Sequence, residues 1–275
     1  VVTVHDCIYR HFTDYLGRRF VRRQLIRATE RYAIGAETIL TDSEFSRRDV
    51  AAHVGIPPER LQVLYPWVDH RSFDPIDDAT AATLRARLRL PRRFWLYVGG
   101  YDYRKNVELL IAAYTSARSD IPSLPPLVLA GKIPPAGRRA AWCDIHGAIA
   151  RAGLPTEAIV LPGLIEPCDL PVLYSLAALL VYPSLMEGFG LPPAEAMAMA
   201  TPVLASNASS LPEVVRLPHC RFDPNDVDEL RSKLVAAASG ESQFRCPLPE
   251  EFTEGFAVAR YLQLLGLQAP AHSIS

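Results

Sequence analysis

Two glutamates eight residues apart, Glu187 and Glu195, bracket the segment EGFGLPPAE. The segment runs from an apolar strand through a glycine loop into a helix whose pattern begins near Leu191 to Pro193. Glu187 is therefore expected in the loop and Glu195 in the first helical turn. Proline at the opening of a helix costs no hydrogen bond, and the helix N-terminus offers free N–H groups and a positive dipole end to an anion. Gly188 and Gly190 let the backbone approach a ligand closely. Taken alone, the same pattern also suits two glutamates that only cap and decorate a helix.

Arg104 and Lys105 follow the strand pattern Phe94 to Val98 and the turn Gly99-Gly100-Tyr101-Asp102, at the opening of a helix expected over Asn106 to Tyr114. Two cations at a helix start oppose its dipole. The arrangement makes sense beside an anion such as a diphosphate, which Arg and Lys neutralise with charge-assisted bonds; the plainer reading is a solvated charged turn. A third polar strand-to-helix turn, Ser206 to Val214, is rich in small hydroxyl side chains. Three such turns on one edge of one sheet form a binding crevice. Asp226 and Asp228 follow Pro224 at a helix start, where acids complement the dipole, and are not expected to hold a metal. The five cysteines, Cys7, Cys143, Cys168, Cys220 and Cys246, contain no C-x-x-C, so neither a zinc site nor a disulfide framework is signalled. A reducing compartment fits best, and no metal site is expected.

The elements that must position these residues are legible as short apolar runs. They cover Val1 to Val4, Thr38 to Leu40, Leu61 to Leu64, Phe94 to Val98, Leu127 to Ala130, Ile159 to Leu161, Leu179 to Val181 and Val203 to Ala205, with helical stretches between. Runs without polar alternation suit strands buried on both faces, so the expected fold is α/β with doubly wound parallel sheets. The stretch Pro66 to Pro91, with Pro75 ahead of Asp77 and Asp78, breaks the rhythm as a linker carrying one Arg-rich helix. The expected division is a partial Rossmann-like domain over 1–75, a linker and helix over 76–92, a complete Rossmann-like domain over 93–240, and a closing helix and tail over 241–275. The tail helix is read from Phe252, Phe256, Val258, Ala259, Leu262 and Leu265.

Composition excludes other classes. With 275 residues, 49% hydrophobic and 21% charged, the chain is of folding type. A net charge of −1 provides no basic field for a nucleic-acid backbone. The longest apolar run, Leu176 to Tyr182, is far short of the roughly 20 residues that span a bilayer. The chain opens at Val1 on a buried-strand pattern, as an internal fragment would.

The segments EGFGLPPAEAMAMATPVLASNASSLPEV, YVGGYDYRKNVELLIAAY and VLPGLIEPCDLPVLYSLAALLVYPS together closely resemble the family 4 retaining glycosyltransferases of the GT-B fold. The resemblance covers Val1 to about Phe222, and the glutamate spacing in this context is highly specific. It implies that Glu187 is the sugar-side glutamate, Glu195 the ribose-binding glutamate and Lys105 the diphosphate-binding lysine. It makes Glu187 and His5 the catalytic candidates, His5 matching a histidine that points into the family's cleft. Donor binding falls on Arg104, Lys105, Gly163, Gly188, Phe189, Gly190, Leu191, Glu195, Ser209 and Ser210. Many relatives carry Arg after the first glycine of the VG turn; Gly100 stands there, which leaves that phosphate contact to Arg104. Pro66-Trp67 replaces a strand-end NG, and the segment after Glu213 is shortened.

The implied activity is metal-independent transfer of a hexose, first choice mannose from GDP-mannose, to a glycan or lipid-linked acceptor in polysaccharide assembly. The expected partners are that nucleotide sugar and acceptor, with no nucleic acid. A partner chain completing the N-terminal domain is also expected, as is peripheral membrane contact through the missing segment, in the cytoplasm at the inner face. Two other readings fit the same residues: a nucleotide-sugar-binding module without transfer activity of its own, and a GT-B-type sugar epimerase, which would consume the nucleotide sugar without an acceptor.

Overall fold

Each of the eight apolar runs forms a strand. They are β1 (Val2–Thr3), β2 (Ile39–Thr41), β3 (Leu61–Val63), β4 (Trp95–Val98), β5 (Leu127–Ala130), β6 (Ile159–Gly163), β7 (Leu179–Tyr182) and β8 (Val203–Ser206). A ninth, β9 (Arg221–Phe222), was not expected, because two residues between Cys220 and Asp223 make no apolar run. The helices are α1 (Ile8–His11), α2 (Phe20–Ile34), α3 (Glu44–Val54), α4 (Asp78–Arg87), α5 (Val107–Asp120), α6 (Ile145–Ala152), α7 (Leu170–Leu176), α8 (Leu191–Ala198), α9 (Leu211–Val214), α10 (Val227–Ser239) and α11 (Glu254–Leu264). This computed structural model describes residues 1–12, 20–69, 76–133 and 141–267. Pro75 and the expected boundary at 75 lie outside the described residues.

The chain forms two compact units, Val1–His70 with Pro249–Ser275, and Arg71–Leu248. The Arg-rich helix of the expected linker, α4, belongs to the second unit, where its buried Leu84 faces inward and Arg87 donates to Asp169 ahead of α7. The closing helix α11 belongs to the first unit. Its approach is pinned by Val68 N donating to the Phe252 carbonyl at 2.9 Å and by an edge-on contact of Tyr65 with Phe252. Phe252, fully buried ahead of the helix, supplies the anchor, whereas Phe256 and Val258 of the expected apolar face are exposed and Ala257 is the buried helical position.

In the first unit three strands pair in parallel in the order β1-β2-β3. Cys7, Ile39, Val50, Ile56 and Leu61 form its core. Helix α3 covers this sheet, starting at Ser43, whose side chain accepts from Ser46 N, and ending at Gly55 in the left-handed region.

In the second unit six parallel strands run in the order β6-β5-β4-β7-β8-β9. Numbered within the unit this is 3-2-1-4-5-6, the Rossmann order. β4, β5, β7 and β8 are buried almost throughout, as strands covered by helices on both faces must be. The crossings from β4 to β5 and from β7 to β8 run in opposite directions along the sheet. The strand order therefore reverses between β4 and β7, and the loops leaving those two strands diverge there and open a crevice.

Candidate active site

The residues singled out from the sequence gather at that reversal. Arg104 and Lys105 lie in a short 3-10 turn after β4, not within the helix start itself: Asn106 takes left-handed φ of 55°, and α5 begins only at Val107. Glu187 lies in the loop after β7. Lys105 Nζ donates to Glu187 Oε1 at 2.7 Å and to the Tyr182 hydroxyl at 2.7 Å. The Arg104 guanidinium stands 2.7 Å from Glu187 Oε2, and Tyr182 donates to Oε1 at 3.0 Å. The anion beside the two cations is thus, in the protein alone, Glu187.

Burial decides how strong this cluster is. Glu187 is 8% exposed, and the Arg104 and Lys105 side chains 12% each. Burial pushes the Glu187 carboxyl up, but the Lys105 and Arg104 charges and the Lys105 hydrogen bond outweigh it and hold the group below the ordinary carboxylate range. Burial lowers Lys105, and Glu187 only partly restores it. Each charge is the other's compensation in this buried site. Tyr182 is fully buried beneath Lys105, whose Nζ lies 5.1 Å from its ring centroid, and burial beside Glu187 drives its phenol well above the usual range.

The loop that carries Glu187 is tied on both sides. Toward β4, Leu185 N donates to the Arg104 carbonyl at 2.7 Å, and Arg104 Nη1 donates to the Met186 carbonyl at 2.7 Å. Toward β8, the Ser209 hydroxyl accepts from Glu187 N at 2.8 Å, and the Ser210 hydroxyl donates to the carbonyls of Glu187 and Phe189 at 3.0 and 2.7 Å. Ser210 is wholly buried, so its hydroxyl shapes the loop. Gly188 and Phe189 complete the loop, Phe189 nearly buried. Gly190 has φ of 119°, and a Cβ there would come within 2.7 Å of Leu211 Cδ2, so only glycine allows the loop to pass α9 and enter α8.

Helix α8 opens at Leu191, which is exposed, with prolines at its second and third positions. Glu195 is its fifth residue and so stands in the second turn, not the first: Gly190 is the cap and the two prolines occupy the first turn. Its Oε2 accepts from the Tyr174 hydroxyl at 2.8 Å. Burial raises the Glu195 carboxyl, and the Tyr174 bond lowers it only in part. Gly163 ends β6 with φ of 84° and its carbonyl accepts from Gly131 N at 2.9 Å.

His5 belongs to the first unit, just past β1. Its ring is exposed, and Nδ1 lies 2.9 Å from Oδ2 of Asp42. Burial raises the Asp42 carboxyl and the His5 bond offsets part of this. Asp226 caps α10, accepting from the N–H groups of Asp228 and Glu229 at 2.9 Å each, the helix-start role expected of it. Sequence reasoning missed Tyr182, Tyr174 and Asp42. The two tyrosines sit in apolar runs that read as core, and only their hydroxyls' reach to Glu187 and Glu195 separates them from it. Asp42 does stand at a strand end two residues into TDSEFS, a position that could have been noticed.

A Rossmann-order parallel sheet with cations and carboxylates gathered at its switch point is the α/β architecture that the GT-B glycosyltransferases share. The family of glycosyl transferases group 1 matches residues 83–254. The chain belongs to that family. It is 34% identical over 212 residues to the serotype-specific mannosyltransferase WbdA of Escherichia coli, covering 76% of this chain and 25% of that protein. It is 31% identical over 248 residues to the O-antigen chain mannosyltransferase B of Escherichia coli, covering 88% and 62%. The chain thus spans less than two thirds of the length of either relative. Among solved structures, the sucrose-phosphate synthase of Thermosynechococcus elongatus superposes with a TM-score of 0.74 at 27% identity, covering 96% of this chain and 68% of the other. HepE of Anabaena in complex with UDP-glucose shares the fold at a TM-score of 0.75 and 20% identity, covering 96% and 71%. Among the described residues no helix is long and apolar enough to cross a membrane.

Proposed function

We propose that this chain carries the donor site of a retaining mannosyltransferase of polysaccharide assembly, moving mannose from GDP-mannose to a glycan or lipid-linked acceptor. The observation that carries this reading is the buried Glu187 carboxylate shared by Lys105, Arg104 and Tyr182 at the switch point of the sheet. That two of the most similar relatives are mannosyltransferases supports the choice of sugar.

The chemistry follows from the charges. Breaking a bond between a sugar and a diphosphate leaves negative charge on the β-phosphate, and catalysis asks for cations already in place where that charge develops. Lys105 has three N–H donors, of which Tyr182 and Glu187 take two, so the third can reach a phosphate oxygen. Arg104 is held beside it through Glu187 and Met186 and adds a second positive charge. Side chains thus neutralise the leaving diphosphate in this reading. Glu187 holds the cations at rest and accepts sugar hydroxyls when the donor arrives. Glu195 serves the ribose: Tyr174 takes Oε2, which orients the carboxylate and leaves Oε1 to a hydroxyl pair. A donor lacking such a hydroxyl strands a buried acceptor, which is how such sites discriminate.

Calorimetric titration with GDP-mannose, UDP-glucose and the free nucleotides tests the donor. Tightest binding of GDP-mannose is expected, and failure of every nucleotide sugar to bind would sink the reading. Product analysis with and without a mannan acceptor then separates transfer from epimerisation, and the anomeric configuration of the product tests retention.

A further inference from the structure

The first unit contains a cluster that the glycosyl chemistry does not use. Asp49 and His53 stand one turn apart on α3, and His11 closes the single turn of α1 against them. His11 Nε2 lies 2.8 Å and His53 Nδ1 3.0 Å from the same Asp49 oxygen, Oδ1. The two rings meet edge-on with centroids 4.7 Å apart, and one donor atom from each of the three residues lies within 4.8 Å of the others.

Two imidazole nitrogens gathered around one carboxylate oxygen offer a ligand set for a borderline divalent cation, unlike the all-oxygen sets that suit magnesium or calcium. In a tetrahedral site with metal–nitrogen bonds of about 2.0 to 2.1 Å, ligand atoms stand about 3.3 Å apart; both nitrogens must draw back slightly from Asp49 Oδ1, and all three donor atoms already lie within 4.8 Å of one another, so side-chain rotation can bring them onto one ion. A second observation points the same way. Asp49 is 9% exposed, and its other oxygen, Oδ2, is buried with no hydrogen-bond partner among the described residues, a costly arrangement for a carboxylate. The outer edges of both imidazoles reach solvent, with side chains 35% and 42% exposed, which gives a cation an entry path and leaves room for a water as fourth ligand.

We propose that His11, Asp49 and His53 bind one zinc-class divalent cation, which cross-links the α1 turn to α3 in the first unit. His53 Nδ1 also lies 3.0 Å from the Asp49 carbonyl, a contact it gives up when it turns its lone pair to the metal. In the absence of metal the same three residues form a hydrogen-bonded clamp on Asp49. The proposal involves no residue of the donor site, so it stands or falls independently of the reading above.

The test is calorimetric titration of the tag-free, chelator-stripped chain with zinc chloride, with magnesium chloride in parallel. One equivalent of zinc should bind with micromolar or tighter affinity, and magnesium should give no comparable heat. His11→Ala and His53→Ala should each weaken zinc by at least about tenfold, the least that loss of even an outer partner of a ligand costs. Both rings are partly exposed, so neither change opens a core cavity, and His219→Ala, remote in sequence and carried by the second unit, should leave zinc binding unchanged. In the unmutated chain, zinc should shift the imidazole NMR signals of His11 and His53 ahead of those of the other five histidines. No zinc binding, equal affinity in the His11→Ala/His53→Ala double variant, or shifts confined to other histidines would each overturn the proposal.

Discussion

Glu187→Gln isolates the charge of the buried carboxylate while keeping its shape. In the native site Glu187 is 8% exposed and compensates two cations whose side chains are 12% exposed. Removing one partner of a buried ion pair typically costs about 3 to 5 kcal/mol, because the other charge is left uncompensated. Glutamine can still accept from Lys105 or Tyr182, so the lower end, about 3 kcal/mol, is the expectation. For a folding unit of this size that corresponds to a fall in Tm of about 6 to 12 °C. Lys105→Met in the same background should recover part of the loss, leaving the double variant about 1 to 3 kcal/mol better than the sum of the singles. The pH dependence has a definite sign. Glu187 is held below its ordinary value of 4.5, so its contribution is complete above that pH and disappears as pH falls through the lower folded value. The wild type should therefore lose more stability than Glu187→Gln below about pH 4.5. If Lys105 and Arg104 hold the diphosphate as proposed, the variant should keep its affinity for GDP while using GDP-mannose poorly, since Glu187 is assigned to the sugar. Calorimetric melts from pH 3 to 7 and titrations with both ligands decide it. A Tm unchanged within 2 °C, strictly additive variants, or loss of GDP binding would refute the argument.

Glu195→Ala should weaken GDP by about 1.5 to 3 kcal/mol, the worth of a hydrogen bond to a charged group, read by titration calorimetry. Glu195→Gln should instead stabilise the chain at neutral pH, since burial raises this carboxyl and the folded state bears a cost for ionising it that vanishes as pH falls; thermal melts with and without GDP separate the two effects. Lys105→Ala should weaken GDP far more than guanosine, and equal losses would place Lys105 away from phosphate. If side chains carry the diphosphate charge as proposed, EDTA should leave GDP-mannose binding unchanged in the same calorimeter. Gly131→Ala should cost more than about 2 kcal/mol in denaturant unfolding, because its Cβ would fall 1.8 Å from the Gly99 carbonyl oxygen, where β4 and β5 leave no room for backbone to move.

The sequence by itself determined eight of the nine strands among the described residues and singled out residues that gather where the strand order reverses. Runs such as Leu127 to Ala130 are apolar at every position because helices cover both faces of a parallel sheet, and that need is written locally. Glu187, Glu195 and Lys105 stood out because strand, glycine loop and helix start follow one another along the chain. Only the tertiary structure decided what these residues do to one another. Lys105 and Glu187 are 82 positions apart, and their 2.7 Å contact exists because the strand order reverses between β4 and β7. The same holds for Tyr174, whose hydroxyl meets Glu195 across 21 residues, and for His11, which meets Asp49 across 38 residues. Strand β9 and the docking of Phe252 were likewise invisible: Arg221–Phe222 pairs because β8 presents an open edge, and Phe252 is buried because Val68 and Tyr65 lie beside it. A periodic pattern records which face of an element is covered, but long-range pairing depends on topology, and no local window of sequence contains it.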